Sequence, residues 1–318
     1  MSAKPNVADR APLIIKRLFH APRTQVFDAW TDPKHLARWW GPREFTNPVC
    51  KLDARPGGAI DIHMRAPDGT LYPMKGEVRE VKRPERFVFT GVVEDERGNV
   101  VLENLNTVTL AEKNGITTLT LTVKTLVATE AAAPKLAGME EGWTQSLERL
   151  MATVTEKGKE LISITRLFDA PPELVFQAWS TAESMRRWFA PNGCTIEIRK
   201  YEFRVGGMLH HCIHNPVHGS CWIKGHFSDV DAPRLIAFDM GFADEQGNAA
   251  ESKIAVHHEH DWPSRSEVIV SLAAVQGPHG TKTLLTLEQT ALESLAKKTG
   301  AHPSWLQMLD HLAGELRK

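Results

Sequence analysis

Hydrophobic positions change their spacing along the chain, and the order of these spacings predicts the elements of a domain. Leu13 to Phe19 predicts a strand, and Pro22 to Trp30 predicts a helix with a proline near its first turn. A second short helix follows between Asp32 and Pro42. From Val49 to Thr125 apolar and polar residues alternate between turn signals, which predicts about six strands joined mostly as hairpins. An apolar stripe at helical spacing then predicts a long helix from Met139 to Val154.

The same order of elements occurs twice, because the sequence repeats itself at an offset of 149 residues. Residues 17–42 share 12 of 26 positions with residues 166–191. This period is far longer than the period of a solenoid repeat, so each copy should be a complete domain. We therefore predict one domain over residues 1–156 and a second over residues 157–318.

The second copy contains an insertion. Beyond Gly247-Asn248 the two copies align at an offset of 165, which places about sixteen additional residues between 249 and 267. The inserted sequence includes His257-His-Glu-His-Asp-Trp-Pro263. It predicts either a surface extension or a lid over the mouth of a pocket.

A strand, two short helices, antiparallel strands and a long helix can bury their apolar faces together if the sheet curls around the long helix. The predicted fold class is therefore α+β. It consists of two tandem helix-grip domains, each a curved antiparallel β-sheet wrapped around a long C-terminal helix.

Several short motifs occur in a fixed order along the first copy, and the second copy repeats many of them. They are Arg17-Leu-Phe-x-Ala-Pro22, Trp39-Trp40-Gly-Pro42, Asp53-x-Arg55-x-Gly57-Gly58, Tyr72-Pro-Met-Lys-Gly76, Pro84-Glu-Arg-Phe87 and Gly142-Trp143. With these motifs each copy resembles the Aha-type C-terminal domain family of activators of HSP 90 ATPase, within the START/Bet v-like (SRPBCC) superfamily. The resemblance implies a helix-grip fold. The superfamily includes hydrophobic-ligand carriers, polyketide cyclases and chaperone activators, so the resemblance alone does not select a function.

Strand alternation indicates which side chains face the interior, where they would either line a ligand cavity or fill a closed core. The candidate ligand-binding residues of the first copy are Trp39, Ile62, Met64, Tyr72, Met74, Phe87, Phe89 and Trp143. The candidates of the second copy are Trp188, His211, Ile213, Cys221, Ile223, Phe238 and Trp305.

The second copy is the more polar of the two on this inner face. The offset of 149 places His211 at the position of Ile62 and Cys221 at the position of Tyr72. Buried polar groups need partners, and a bound ligand could supply one. Eleven of the fourteen histidines lie in this copy, but they show no known ligand spacing, so no metal is predicted. We hypothesise that His211 gives the second copy the more polar pocket.

Composition narrows the class of protein further. The chain of 318 residues is 42% apolar, carries a formal net charge of -1 and has no Lys/Arg-rich run, so a nucleic-acid partner is not predicted. Four cysteines without a C-x-x-C pair favour a cytoplasmic location. No apolar run is long enough to span a bilayer, so no membrane partner is predicted.

No motif for a nucleotide cofactor or a catalytic serine occurs, so neither a cofactor nor a catalytic residue is assigned. The resemblance, together with the apolar inward-facing positions, implies a START-like protein that binds a small hydrophobic molecule or is associated with stress. Two alternatives stay open: a modulator of chaperone ATPase activity, and a polyketide cyclase-like enzyme acting in the second copy. A homodimer also stays open.

Overall fold

Each half of the chain folds into one seven-stranded antiparallel sheet with a long helix at its end, which confirms the predicted fold class. The structure is a computed structural model that describes residues 11–156, 158–250, 262–277 and 280–317. The chain divides into two compact units, Met1–Lys157 and Gly158–Lys318. Most of the inserted segment, including its histidines, lies outside the described residues, so the prediction of a surface extension or a lid falls outside them as well.

The first unit follows the predicted order of elements and adds a short helix, α3, before the long one. Its sheet has the strand order β1-β7-β6-β5-β4-β3-β2, so the first strand pairs with the last and every other neighbour is a hairpin partner. The elements are β1 (Leu13–Phe19), α1 (Arg23–Thr31), α2 (Pro33–Trp39), β2 (Thr46–Leu52), β3 (Ala59–Arg65), β4 (Leu71–Lys82), β5 (Arg86–Glu94), β6 (Val100–Lys113), β7 (Ile116–Ala128), α3 (Ala133–Ala137) and α4 (Met139–Val154).

The second unit repeats this topology with the strand order β8-β14-β13-β12-β11-β10-β9. Its elements are β8 (Leu161–Phe168), α5 (Pro172–Trp179), α6 (Ala182–Trp188), β9 (Thr195–Tyr201), β10 (Met208–Asn215), β11 (Gly219–Asp231), β12 (Leu235–Phe242), β13 (Arg265–Gly277), β14 (Gly280–Leu292), α7 (Glu293–Thr299) and α8 (Ala301–Glu315).

The repeated tryptophans join the two short helices of each unit. In the first unit Trp39 packs edge-on against Trp30 with ring centroids 4.6 Å apart, and its indole Nε1 donates to the carbonyl of Ala29. Trp188 makes the same two interactions in the second unit, with Trp179 and the carbonyl of Ala178. All four indoles are buried. These repeated residues therefore stabilise the fold.

Glycine at two equivalent strand positions lets neighbouring strands approach closely. A Cβ atom on Gly76 would lie 1.9 Å from the carbonyl oxygen of Thr90, and a Cβ atom on Gly225 would lie 1.7 Å from that of Asp239. A larger residue at Gly76 would push β4 away from β5, and a larger residue at Gly225 would push β11 away from β12. This close approach explains why both copies have glycine at this position.

A pair of equivalent threonines sets the register of the last strand in each unit. The hydroxyl of Thr117 donates to the carbonyl of Ala21, and that of Thr283 donates to the carbonyl of Ala170. Thr283 is thus the counterpart of Thr117, whereas the offset of 165 pairs it with Thr118. A slip of one residue exchanges the two faces of a strand, so the sequence alignment assigns the wrong face to β14.

Candidate functional site

The second unit contains a cavity of about 650 Å³ between the inner face of its sheet and α8. Strands β10 to β14, the segment after α6 and the corner between α7 and α8 form its walls. Four aromatic rings lie in these walls, those of Phe189, Phe242, Trp262 and Trp305. The volume is within the range of sites that hold small organic molecules.

His211 projects from β10 into this cavity. It is 1% exposed, and its ring packs edge-on against Phe189 with centroids 5.5 Å apart. Neither ring nitrogen has a hydrogen-bond partner among the described residues. Burial lowers the pKa of His211 to about 4, and the neighbouring His210 adds a smaller effect in the same direction. The imidazole is therefore neutral near pH 7 and presents one unused donor and one unused acceptor.

A chain of hydrogen bonds crosses another wall of the cavity. The indole Nε1 of Trp305 donates to Oε1 of Gln289 over 2.8 Å, and Nε2 of Gln289 donates to the hydroxyl of Ser266 over 2.8 Å. All three residues are buried and line the cavity. Gln289 is thus held by partners on a strand and a helix, and its orientation is fixed.

The buried walls carry no charge near neutral pH. Burial, with a smaller effect from Cys212, raises the pKa of Cys221 to about 12, so its thiol stays protonated. Among the described lining residues, the ionisable side chains other than His211 and the cysteines are those of Lys298 and His218, and both residues are exposed. The cavity therefore offers neutral polar groups inside and charge at its rim.

The first unit contains a smaller cavity of about 400 Å³. Tyr72 and Leu71 lie at its edge with 43% and 47% of their surface exposed. Asn104 and Asn106 line it, and Oδ1 of Asn104 is buried without a hydrogen-bond partner among the described residues. Ile62, the counterpart of His211, is fully buried and does not line this cavity.

The structure divides the fifteen predicted site residues into two groups. Nine of them line a cavity: Met64, Tyr72, Met74, Trp143, His211, Ile213, Cys221, Ile223 and Trp305. The other six belong to the packed core and line neither cavity: Trp39, Ile62, Phe87, Phe89, Trp188 and Phe238. Alternation along a strand gives the face of a side chain but not its distance from the cavity, which explains the division. Ligand contact by the nine stays a prediction.

Several lining residues were not predicted from the sequence. Gln289 was missed because the offset of 165 pairs Val123 with Glu288, whereas the structure makes Gln289 the counterpart of Val123. The alternation of Leu285, Leu287 and Gln289 is the signal that could have identified it. Trp262 and Ser266 lie at the C-terminal end of the inserted region, where sequence periodicity is lost.

The outer face of the same sheet carries His210, Cys212 and His214. Nε2 of His210 lies 3.1 Å from the carbonyl of Asp244, and Nε2 of His214 lies 3.3 Å from a carboxylate oxygen of Glu197. In the part of the chain that the structure describes, no group of three or more His, Cys, Asp or Glu side chains is placed to hold a metal ion. Within the same residues, every helix is too short or too polar to cross a membrane.

A seven-stranded antiparallel sheet, a long C-terminal helix and a cavity between them define a START-like domain, and this chain has two of them in tandem. The chain belongs to the family described as Activator of Hsp90 ATPase homolog 1-like protein, whose model matches residues 20–155 and 169–317.

Solved structures from several bacteria resemble one half of the chain. A protein from Mycobacterium smegmatis is 28% identical, with coverage of 49% of this chain and 98% of that one and a TM-score of 0.42. A protein from Chromobacterium violaceum is 28% identical, with coverage of 46% and 99% and a TM-score of 0.40. One from Silicibacter pomeroyi is 28% identical, with coverage of 45% and 96% and a TM-score of 0.39. No curated protein matches the chain.

Proposed function

We propose that this protein binds a small hydrophobic molecule in the cavity of its second unit. The observation that carries the proposal is the cavity of about 650 Å³, whose buried walls are aromatic, aliphatic or neutral polar. Membership of a START-like family supports it, because the fold places a cavity between sheet and helix. The description of the family also names activation of Hsp90 ATPase, which stays as the alternative.

The energetics of burial favour this function. Each Å² of apolar ligand surface removed from water contributes roughly 25 cal/mol, so burying roughly 200 Å² yields about 5 kcal/mol before the entropic cost of association. A neutral, largely apolar cavity demands little desolvation in return. On its own, about 5 kcal/mol corresponds to a Kd of roughly 0.2 mM, so tighter binding requires that the apolar wall of the cavity is removed from water as well.

The second cavity is the better candidate because it is larger and because it holds a buried imidazole that the described lining residues of the first cavity lack. His211, Ser266 and Gln289 are each less than 5% exposed. In the first unit the cavity is about 400 Å³, and two of its lining residues, Tyr72 and Leu71, face solvent. We therefore expect the second unit to dominate ligand binding.

Titration with N-phenyl-1-naphthylamine, a neutral dye that fluoresces in apolar surroundings, tests the proposal. Ile223→Trp places an indole in the second cavity, and Met74→Trp does the same at the equivalent position of the first cavity. Ile223 and Met74 are half-buried, so neither substitution disrupts the packed core. We expect saturable binding to the wild-type chain, its loss in Ile223→Trp and its retention in Met74→Trp.

Binding that is not saturable, or equal binding by Ile223→Trp and the wild-type chain, would contradict the proposal. Such a result would shift the assignment to the ATPase alternative, which a chaperone ATPase assay with the full chain can then examine. Circular dichroism of each variant verifies that the fold is intact.

A further inference from the structure

We propose that the second cavity binds an aromatic compound that carries an uncharged hydroxyl group, and that His211 recognises this hydroxyl by a hydrogen bond. The inference rests on the proposed function, since it concerns the ligand of the same cavity. It adds a chemical class and the residue that selects for it.

The imidazole of His211 is the one histidine ring among the described residues whose two nitrogens are both buried and unpartnered. A polar group that is buried without a partner is unfavourable, so a ligand that supplies a partner gains affinity. A neutral imidazole offers an N–H donor and a nitrogen acceptor, and a hydroxyl can both accept and donate. Either tautomer of the ring therefore fits the same ligand group.

The rings next to His211 favour an aromatic carrier of that hydroxyl. The Phe189 ring lies 5.5 Å from the His211 ring and 5.6 Å from the Trp305 ring, and both contacts are edge-on. Trp305 in turn donates to Gln289. These rings form a continuous wall from His211 to Gln289, against which a planar aromatic ligand can pack edge-to-face.

The charge distribution disfavours an anionic ligand. The carboxylate of an aromatic acid would lose its hydration next to His211 without a buried cation to compensate. Lys298 and His218 line the cavity, but both residues are exposed at its rim. The deep end therefore suits a neutral hydroxyl better than a carboxylate.

The first unit shows the same fold without this feature. Ile62 occupies the strand position of His211, pairing with Met74 as His211 pairs with Ile223. It is packed into the core and makes no polar contact. Recognition by a buried imidazole is thus assigned to the second unit alone, and His211→Ile recreates the residue of the first unit.

Three naphthalenes that differ in one substituent test the inference. Naphthalene, 2-naphthol and 2-naphthoate are used to displace N-phenyl-1-naphthylamine near pH 7.5 from the full chain carrying Met74→Trp, which blocks the first cavity. We expect 2-naphthol to bind more tightly than 2-naphthoate. His211→Ile should weaken 2-naphthol relative to naphthalene by roughly two- to tenfold, the effect of losing one hydrogen bond. His211→Gln, which keeps a neutral donor and acceptor, should retain most of the preference.

The outcomes separate the two proposals. If the dye does not bind in the first place, both fail. If the naphthalenes compete but His211→Ile weakens naphthalene and 2-naphthol equally, the cavity binds ligands without His211 and only the inference fails. Tighter binding of 2-naphthoate would overturn the chemical class. If His211→Ile does not fold, imidazole ¹⁵N shifts in the otherwise unchanged chain decide: they must move on addition of 2-naphthol and stay unmoved with naphthalene.

Discussion

At the scale of single residues, His211 is a position where the two units differ in their chemistry. Its counterpart Ile62 adds to the apolar core, whereas His211 carries a buried imidazole with a pKa of about 4. In the unfolded chain the same ring is exposed to water and keeps its ordinary pKa of 6.5. Folding therefore releases a proton at mildly acidic pH, and acid opposes folding of the second unit.

His211→Ile should make the stability of the second unit less dependent on pH. Between pH 6.5 and pH 4 the unfolded state binds a proton that the folded state does not, so the free energy of unfolding falls as the pH falls through this range. Between pH 7.5 and pH 5 the free energy of unfolding of the wild type should fall by about 2 kcal/mol relative to that of His211→Ile. Urea unfolding of the full chain at the two pH values measures it.

His218→Ala is the matched control for that measurement, because His218 lies on the next turn and is exposed. A weaker pH dependence in His211→Ile than in His218→Ala would assign the effect to His211. An unchanged pH dependence in His211→Ile would show that His211 is not the group responsible.

Gln289 should contribute to stability through its two buried partners. Gln289→Val introduces the residue of the first unit, Val123, but leaves the indole N–H of Trp305 unpaired. The expected loss is about 1–3 kcal/mol in the free energy of unfolding. Combining it with Trp305→Phe, which removes the unpaired donor, should make the two losses less than additive. Strict additivity of the two changes would contradict a direct bond between them.

At the scale of elements, the long helix of each unit is tied to the segment that follows the second short helix. In the first unit the guanidinium of Arg149 on α4 donates to the carbonyls of Arg38, Trp40, Gly41 and Pro42. In the second unit His311 on α8 takes this place, with Nδ1 2.9 Å from the carbonyl of Ala190. The same joint is thus made by two different side chains.

Arg149→Ala should loosen this joint in the first unit only. The planar guanidinium that contacts the four carbonyls is removed in this variant, and the contacts are lost with it. We expect amide hydrogens of residues 38–45 to exchange faster, while those of residues 187–194 keep their rate. Hydrogen exchange read by mass spectrometry resolves the two segments. Equal exchange in the variant and the wild type would mean that the contacts do not hold the segment.

Most elements of the fold could be predicted from the sequence, because strand alternation and helical spacing are both strong here. The sequence predicts β1 and α4 with the bounds that the structure has. The face of β14 could not be predicted, since an insertion destroyed the alignment before that strand and a shift of one residue reverses its sides. Helix α3 was missed because its five residues are too few to show a period.

The candidate site was less predictable than the fold. Alternation identified His211 and Ile223 as inward-facing, yet it equally selected Phe238, which the core encloses. The difference depends on how far α8 covers each strand, and that distance is set by tertiary packing. Gln289 could have been found from the alternation along β14, whereas Ser266 lies next to the insertion, where the sequence shows no periodicity that gives its face.

At the scale of the whole molecule, the chain holds two cavities that differ in size and polarity. Cys221 lies in the wall of the second cavity, while Cys50 lies in the first unit away from its cavity. Burial raises the pKa of both thiols, to about 12 and about 11. Both thiols should therefore react slowly with an alkylating reagent, and only one of them should respond to a ligand.

N-phenyl-1-naphthylamine should protect Cys221 from N-ethylmaleimide. Because the dye would occupy the space in front of the thiol, alkylation of Cys221 should slow severalfold in its presence, whereas that of Cys50 should keep its rate. Peptide mapping of the full chain by mass spectrometry follows both cysteines in one sample. Equal slowing of the two would indicate a general effect of the dye, and no slowing would place it outside the second cavity.

The duplication also fixes the ratio of the two cavities at one to one. Because the two domains belong to one polypeptide, every molecule brings one cavity with His211 in its wall and one whose counterpart residue, Ile62, is packed into the core. Separate proteins would have to be synthesised and degraded in step to keep such a balance. A cell that makes this chain therefore always holds the two cavities in equal amounts, whatever the level of expression.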